Sequence, residues 1–190
     1  MISLDEDGKD MWFALTGTPG TGKTSVAETL RERGRAVIDL NVIVKEHGFV
    51  IGRDEERDTD VADLDKVSRF LEKEHGDVKD IVLEGHWAHK LQVVRAIVLR
   101  CDPKVLARRL KGRDYKKAKI DENCEAEMLD VILVEAVEAL GERNVSEIDT
   151  TRKGKRAVTD AVERVLNGDF NNYKVGSVDW SGQLLKGRRP

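Results

Sequence analysis

The stretch Gly17-Thr18-Pro19-Gly20-Thr21-Gly22-Lys23-Thr24 fills every fixed position of the phosphate-loop pattern G-x-x-x-x-G-K-[ST]. Its flanks suit it. Trp12-Phe13-Ala14-Leu15-Thr16 is a short apolar run that reads as a buried strand. Ser25 to Arg33 reads as a helix with small or apolar positions at Val26, Ala27 and Leu30. Strand, glycine loop and helix in that order turn backbone N–H groups toward an anion, and the helix N-terminus adds partial positive charge. Gly17, Gly20 and Gly22 can take angles that a side chain forbids and let the chain approach phosphate oxygens closely. Lys23 is expected to reach the β- and γ-phosphates, and the Thr24 hydroxyl to hold Mg²⁺. A glycine-rich turn that binds nothing is the bland alternative. The complete pattern and its two flanks argue against it.

The rest of the chain decides what such a site serves. Strands alternate with helices. Apolar runs at Ala36–Asp39, Asp80–Glu84, Ala96–Arg100 and Val145–Asp149 make four further strands. Helical patterns cover Leu64–Glu74, Pro103–Leu110 and Lys155–Leu166, and a long one runs from about Asp121 to Leu140. The expected fold is α/β, with a mostly parallel five-stranded sheet and helices on both faces. Ligands in such sheets bind beyond the carboxyl ends of the strands, where the glycine loop, Glu84, His86, Arg152 and Lys153 all fall.

Asp39 to about Ala62 interrupts this rhythm. A short helical stretch, Leu40–Glu46, is followed by the charged run Arg53–Asp60. Most of that run reads as solvated surface, and the segment as a whole as a small substrate-binding insertion. No internal repeat or second domain is visible. A single domain is expected over 12–168, with a polar leader at 1–11 and a C-terminal tail at 169–190 that Trp180 could dock.

Composition narrows the setting. The net charge is -3, with no basic excess that would demand direct readout of nucleic acid. Two cysteines are too few for a disulfide scaffold. The start of the chain is acidic and lacks a signal-peptide pattern, and no apolar run is long enough to span a bilayer. A cytoplasmic protein that engages no membrane is the expectation.

Three further groups carry chemistry. Glu84 closes an apolar strand, where a carboxylate can organise Mg²⁺ or orient an attacking group. His86 and His89 follow it, without the Cys or spaced partner of a zinc set. Arg108, Arg109 and Arg113 flank the basic loop Gly112–Lys119, and arginines closing over a phosphoryl group stabilise its charge in flight. Arg108 and Arg109 are adjacent on a helix, so only one should face the site. The bland readings are a strand-end acid, a hydrogen-bonding histidine and a solvated basic surface.

The glycine loop, the triplet Glu84-Gly85-His86, and Arg109-Leu110-Lys111-Gly112-Arg113-Asp114-Tyr115 leading to Glu125-Ala126-Glu127 together resemble adenylate kinase isoenzyme six. That family comprises archaeal and nuclear-type adenylate kinases that also act as ATPases in small ribosomal subunit maturation. The similarity runs from about Trp12 to Leu166. It implies a nucleoside monophosphate kinase fold and the reaction ATP + AMP = 2 ADP with Mg²⁺, beside a slow ATPase. An alternative function follows from the same resemblance, an ATPase assembly factor that binds a small-subunit ribosomal protein. By position, Gly20, Gly22, Lys23, Thr24 and Ser25 would hold the ATP phosphates, and Thr24 and Glu84 the metal. Residues from about 39 to 62 would bind AMP, with Asn41 and Lys45 as contacts, and about 112 to 122 would form the lid. Arg113 would contact ATP, Arg109 would lie near the transferring group, and Arg152 would line the adenine pocket. The family usually carries Asp where this chain has Glu84, which moves the carboxylate outward by about one bond length.

Overall fold

A computed structural model describes residues 12–54, 59–113, 115–180 and 182. The expected leader, the centre of the charged run, Asp114 and the basic end of the tail lie outside them.

The strands are β1 (Phe13–Thr16), β2 (Val37–Asp39), β5 (Val82–Glu84), β6 (Arg95–Arg100) and β7 (Val145–Asp149), in the order β2-β5-β1-β6-β7. Every neighbouring pair is parallel. The helices are α1 (Lys23–Glu32), α2 (Leu40–His47), α3 (Leu64–His75), α4 (Pro103–Lys111), α5 (Lys117–Met128), α6 (Val131–Leu140) and α7 (Lys155–Leu166). None of the described helices is long and apolar enough to cross a membrane.

The pleat sorts the core. Successive side chains on a strand point to opposite faces. Phe13 and Leu15 therefore join Val26, Leu30, Val158 and Val162 of α1 and α7 on one side. Ala14 joins Val67 and Leu71 of α3 and Leu133 and Ala136 of α6 on the other. Leu15, Leu30, Leu71 and Leu99 are fully buried, each contributing about 1.5–3 kcal/mol of transfer free energy. A third cluster of Cys101, Leu106, Leu110 and Ile120 fastens α4 to α5.

Register places the site. Leu15 pairs with Glu84, and Asp39 with Glu84, so β1, β2 and β5 end level with one another. Val98 pairs with Thr16, and Arg100 with Asp149, which brings the ends of β6 and β7 to the same edge.

Two expected features differ. The insertion contains an antiparallel hairpin, β3 (Val50–Asp54) with β4 (Thr59–Ala62), whose strands take up both ends of the charged run. It is anchored where the rings of His47, Phe49 and Phe70 meet, with centroids 4.2–5.7 Å apart. The long helix expected over Asp121–Leu140 is two, α5 and α6. The break is Asp130, at φ 56, whose carboxylate pairs with Arg100. That partner offsets the steric penalty a non-glycine residue meets in the left-handed region.

Residues 169–180 lie against the body. Lys174 bridges to Ser146, Phe170 lies under the Arg95 guanidinium at 3.5 Å, and the Glu147 carboxylate accepts from the Ser177 and Val178 amides.

Candidate active site

The glycine loop leaves β1 through three left-handed residues, Gly17 at φ 134, Gly20 at φ 91 and Gly22 at φ 109. Two of them are also sterically compelled. A Cβ on Gly17 would meet the Leu99 carbonyl oxygen at 2.4 Å, and one on Gly20 would meet Leu106 and Leu110 at 2.9 Å. Helices α2, α3 and α4 are each capped by an aspartate side chain, from Asp39, Asp63 and Asp102. Helix α1 follows Gly22 with no side-chain cap, as do α5, α6 and α7 their own N-caps, which leaves its first-turn N–H groups to an anion held by the loop.

Lys23 is buried, and its ammonium donates to the Gly17 carbonyl at 2.7 Å and the Thr18 carbonyl at 3.2 Å. Burial lowers its pKa from 10.5 to about 8; the carboxylates of Glu84 and Glu127 oppose the fall, and Arg113 adds to it. Ionic binding of phosphate by Lys23 therefore weakens as the pH rises through about 8.

Glu84 is 2% exposed. Desolvation raises its pKa, and neighbouring Asp39 adds to the rise, while Lys23 and a hydrogen bond from Thr24 oppose it. Its Oε2 is buried without a hydrogen-bond partner. A buried carboxylate oxygen with no donor, beside a hydroxyl at the start of α1, is an oxygen donor set suited to a hard divalent cation such as Mg²⁺. Among the described residues, no group of three or more His, Cys, Asp or Glu side chains forms a metal cage.

His86 is half-buried, and burial together with the charge of Lys23 lowers its pKa to about 4. It is a neutral imidazole at pH 7. The Thr16 hydroxyl donates to the His86 carbonyl at 3.1 Å and lies 3.1 Å from Nδ1 of buried His89. His89 Nε2 faces the Glu135 carboxylate of α6 at 3.1 Å. His89 thus braces the end of β1 and the turn bearing His86.

Of the two adjacent arginines, Arg108 is exposed and Arg109 turns inward. Arg109 contacts the carbonyls of Gly20 and Thr21 at 3.4 Å and that of Thr150 at 2.9 Å. Arg113 is exposed, near enough to act on Lys23. Ser25 lies in the first turn of α1. Asn41 and Lys45 stand one turn apart on the exposed side of α2, directly after Asp39, which pairs with Glu84. Arg152 is exposed in the loop after β7, in the left-handed region at φ 53. The loop thus gathers Lys23, Thr24, Glu84, His86 and Arg109, while Asn41, Lys45 and Arg152 stand at its margins.

Sequence reasoning missed one partner of the loop. The Thr18 hydroxyl donates to Glu127 at 2.5 Å. The available signal was a carboxylate in helical register with Ile120 and Asn123, the buried face of α5.

Residues 14–130 match the family model described as AAA domain. The chain is 48% identical over 177 residues to a protein of Archaeoglobus fulgidus named "Putative adenylate kinase", covering 92% of this chain and 94% of that one. It is 47% identical to a protein of Natronomonas pharaonis bearing the same name, over 92% of this chain and all of the other. The solved structure of an uncharacterized protein from Eubacterium ventriosum superposes with a TM-score of 0.54 at 12% identity, covering 84% of this chain and 99% of that one. At that identity the likeness is one of fold alone.

Proposed function

This chain belongs to the AAA domain family and, with its archaeal relatives, to an adenylate-kinase-like family, and on that premise we propose that it transfers the γ-phosphoryl group of Mg·ATP to AMP, giving two ADP. The ATP site rests on the pairing of a buried lysine with a buried, partly unpartnered carboxylate at one glycine loop, and the choice of AMP as acceptor rests on the likeness to relatives named "Putative adenylate kinase".

In this proposal Gly20, Gly22, Lys23, Thr24 and Ser25 hold the ATP phosphates. Lys23 neutralises charge on the β- and γ-phosphates, and the uncapped start of α1 adds backbone donors. Mg²⁺ would be held by Thr24 and Glu84 and would offset the charge that builds on the phosphoryl oxygens. Residues 39–62 bind AMP, with Asn41 and Lys45 reaching its phosphate from α2. The 112–122 segment closes as the lid, and Arg113 contacts ATP from it. Arg152 lines the adenine side. Neutral His86 orients the attacking group. All of this belongs to one kinase domain over 12–168.

The second reading, an ATPase assembly factor that acts on a small-subunit ribosomal protein, shares the same ATP site and differs in turnover. A coupled assay with Mg·ATP and AMP, CMP, UMP, dAMP or no acceptor separates them, with free phosphate read in parallel. The kinase reading expects AMP-dependent ADP formation, two ADP for each AMP consumed, with little free phosphate. Slow phosphate release indifferent to every acceptor would overturn it in favour of the ATPase.

A further inference from the structure

Behind the glycine loop lies a buried charge cluster that the phosphate chemistry does not use. Arg100, 1% exposed at the end of β6, donates through Nε to Glu127 Oε1 at 2.8 Å and through Nη1 to Glu147 Oε1 at 2.5 Å. Its Nη2 reaches the Glu127 carbonyl at 3.1 Å and also pairs with Asp130. Glu127 itself is 2% exposed on α5. A bland account is available, that Glu127 merely neutralises Arg100.

The division of labour between its two oxygens says more. Oε1 accepts both from Arg100 and from the Cys101 amide, at 3.0 Å for the latter. Oε2 takes the Thr18 hydroxyl at 2.5 Å. Neutralising Arg100 needs only the first oxygen. Thr18 is 2% exposed and is the hub of the loop. Its carbonyl accepts from Lys23 Nζ at 3.2 Å, from the Thr21 hydroxyl at 2.8 Å and from the Thr21 amide at 3.2 Å. Fixing the Thr18 side chain therefore fixes the carbonyl against which Lys23 and Thr21 rest. A short bond to an ionised carboxylate in a dry setting is among the stronger hydrogen bonds a protein makes.

We propose that Glu127 is a positioning residue for the glycine loop: through the Thr18 hydroxyl it holds the loop's Thr18–Lys23 turn in place from helix α5. The same carboxylate supports the charge on Lys23. Helix α5 begins within the basic stretch, at Lys117, and carries its last residues, so Glu127 joins the loop to an element of the candidate lid. The consequence for ATP rests on the phosphate reading of the loop, but the positioning itself does not.

The test is amide hydrogen exchange of residues 17–23 in the protein without nucleotide, with Tm recorded alongside. Thr18→Val removes the donor, keeps the shape and leaves the Arg100 pair intact. Exchange within 17–23 should quicken by about tenfold or more relative to the sheet amides, Tm should fall because buried Glu127 Oε2 loses its donor, and Thr18→Ser should return both near the native values. Unchanged exchange in Thr18→Val, or equal acceleration in Thr18→Ser, would overturn the proposal. In a cycle with Glu127→Gln, adding Thr18→Val should quicken exchange little further, whereas full multiplication of the two effects would also overturn it. If Glu127→Gln does not fold, the Thr18 pair decides alone. A native chain that fails to turn over ATP would sink the kinase reading without touching this result.

Discussion

Arg109 Nη2 donates to the Thr150 carbonyl oxygen at 2.9 Å, while Nη1 meets the Thr150 hydroxyl at 3.2 Å and the carbonyls of Gly20 and Thr21 at 3.4 Å. One guanidinium thus ties the loop after β7 to the back of the glycine loop. Arg109→Ala should lower stability by about 1–3 kcal/mol and ATP turnover with it. Arg109→Lys should recover little, because a point charge cannot span the same carbonyls as a planar fork. Exposed Arg108 serves as the control, and Arg108→Ala should change neither Tm nor kcat/KM. A fall in turnover with Tm unmoved in Arg109→Ala would instead place this side chain on the phosphoryl group alone.

Lys23 sets the expected pH response. Burial brings its pKa from 10.5 to about 8, so in the free enzyme it loses its charge as the pH rises through about 8. kcat/KM for ATP should fall along that limb, since this ratio reports ionisations of the free enzyme. The sign for stability is opposite. Between about 8 and 10.5 the unfolded chain binds the proton more strongly than the folded one, so stability from this group rises with pH there. Lys23→Arg keeps the charge over the whole range. It should lose activity yet show no alkaline limb near 8, and persistence of the limb would assign it to another group.

How much of this could be read beforehand follows from the range of each interaction. The glycine loop was legible because its constraints are local. Left-handed angles at Gly17, Gly20 and Gly22 leave little choice of residue. The strands were legible because burial on both faces demands apolar runs. The break between α5 and α6 was not. Met128, Leu129, Ile132, Leu133 and Ala136 keep a helical period across it, and no glycine or proline marks it. Asp130 turns the chain because Arg100, 30 residues away, pairs with its carboxylate. The hairpin was hidden by charge, with only Val50, Ile51 and Val61 to suggest strands and no glycine turn between them. Sequence reading gave Glu127 and Arg100 no partners for the same reason. Their partners are distant in sequence, and a buried ion pair leaves no local pattern.

Glu84 should display a conflict between stability and activity. Its pKa is raised in the fold, chiefly by desolvation. The stability linked to its protonated form is present below the unfolded pKa, near 4.5, and is lost as the pH rises through the higher folded value. Glu84→Gln cannot ionise and should escape that loss. Its Tm relative to the native protein should therefore climb between pH 4 and 7, while Mg·ATP turnover falls by about a hundredfold. A Tm difference flat with pH would show that the native carboxylate is not strained by burial. Undiminished turnover would remove Glu84 from the metal site.

The end of the described chain should matter for stability through Glu147. This buried carboxylate gives Oε1 to Arg100. Its Oε2 accepts from the Ser177 amide at 2.9 Å, the Ser177 hydroxyl at 3.2 Å and the Val178 amide at 3.2 Å. A chain ending at Tyr173 strips Oε2 of all three donors and leaves charge in a dry setting, a loss of about 1–3 kcal/mol. For a chain of this size that corresponds to a Tm lower by about 2–12 °C. A chain ending at Trp180 keeps the three donors and should melt with the native protein. Ser177→Ala keeps both amides and should cost less than about 1 kcal/mol. Equal Tm for the chains ending at Tyr173 and Trp180 would mean that water satisfies Glu147 as well as the backbone does. The cluster would then end at Arg100, and the segment after Tyr173 would have no part in holding it.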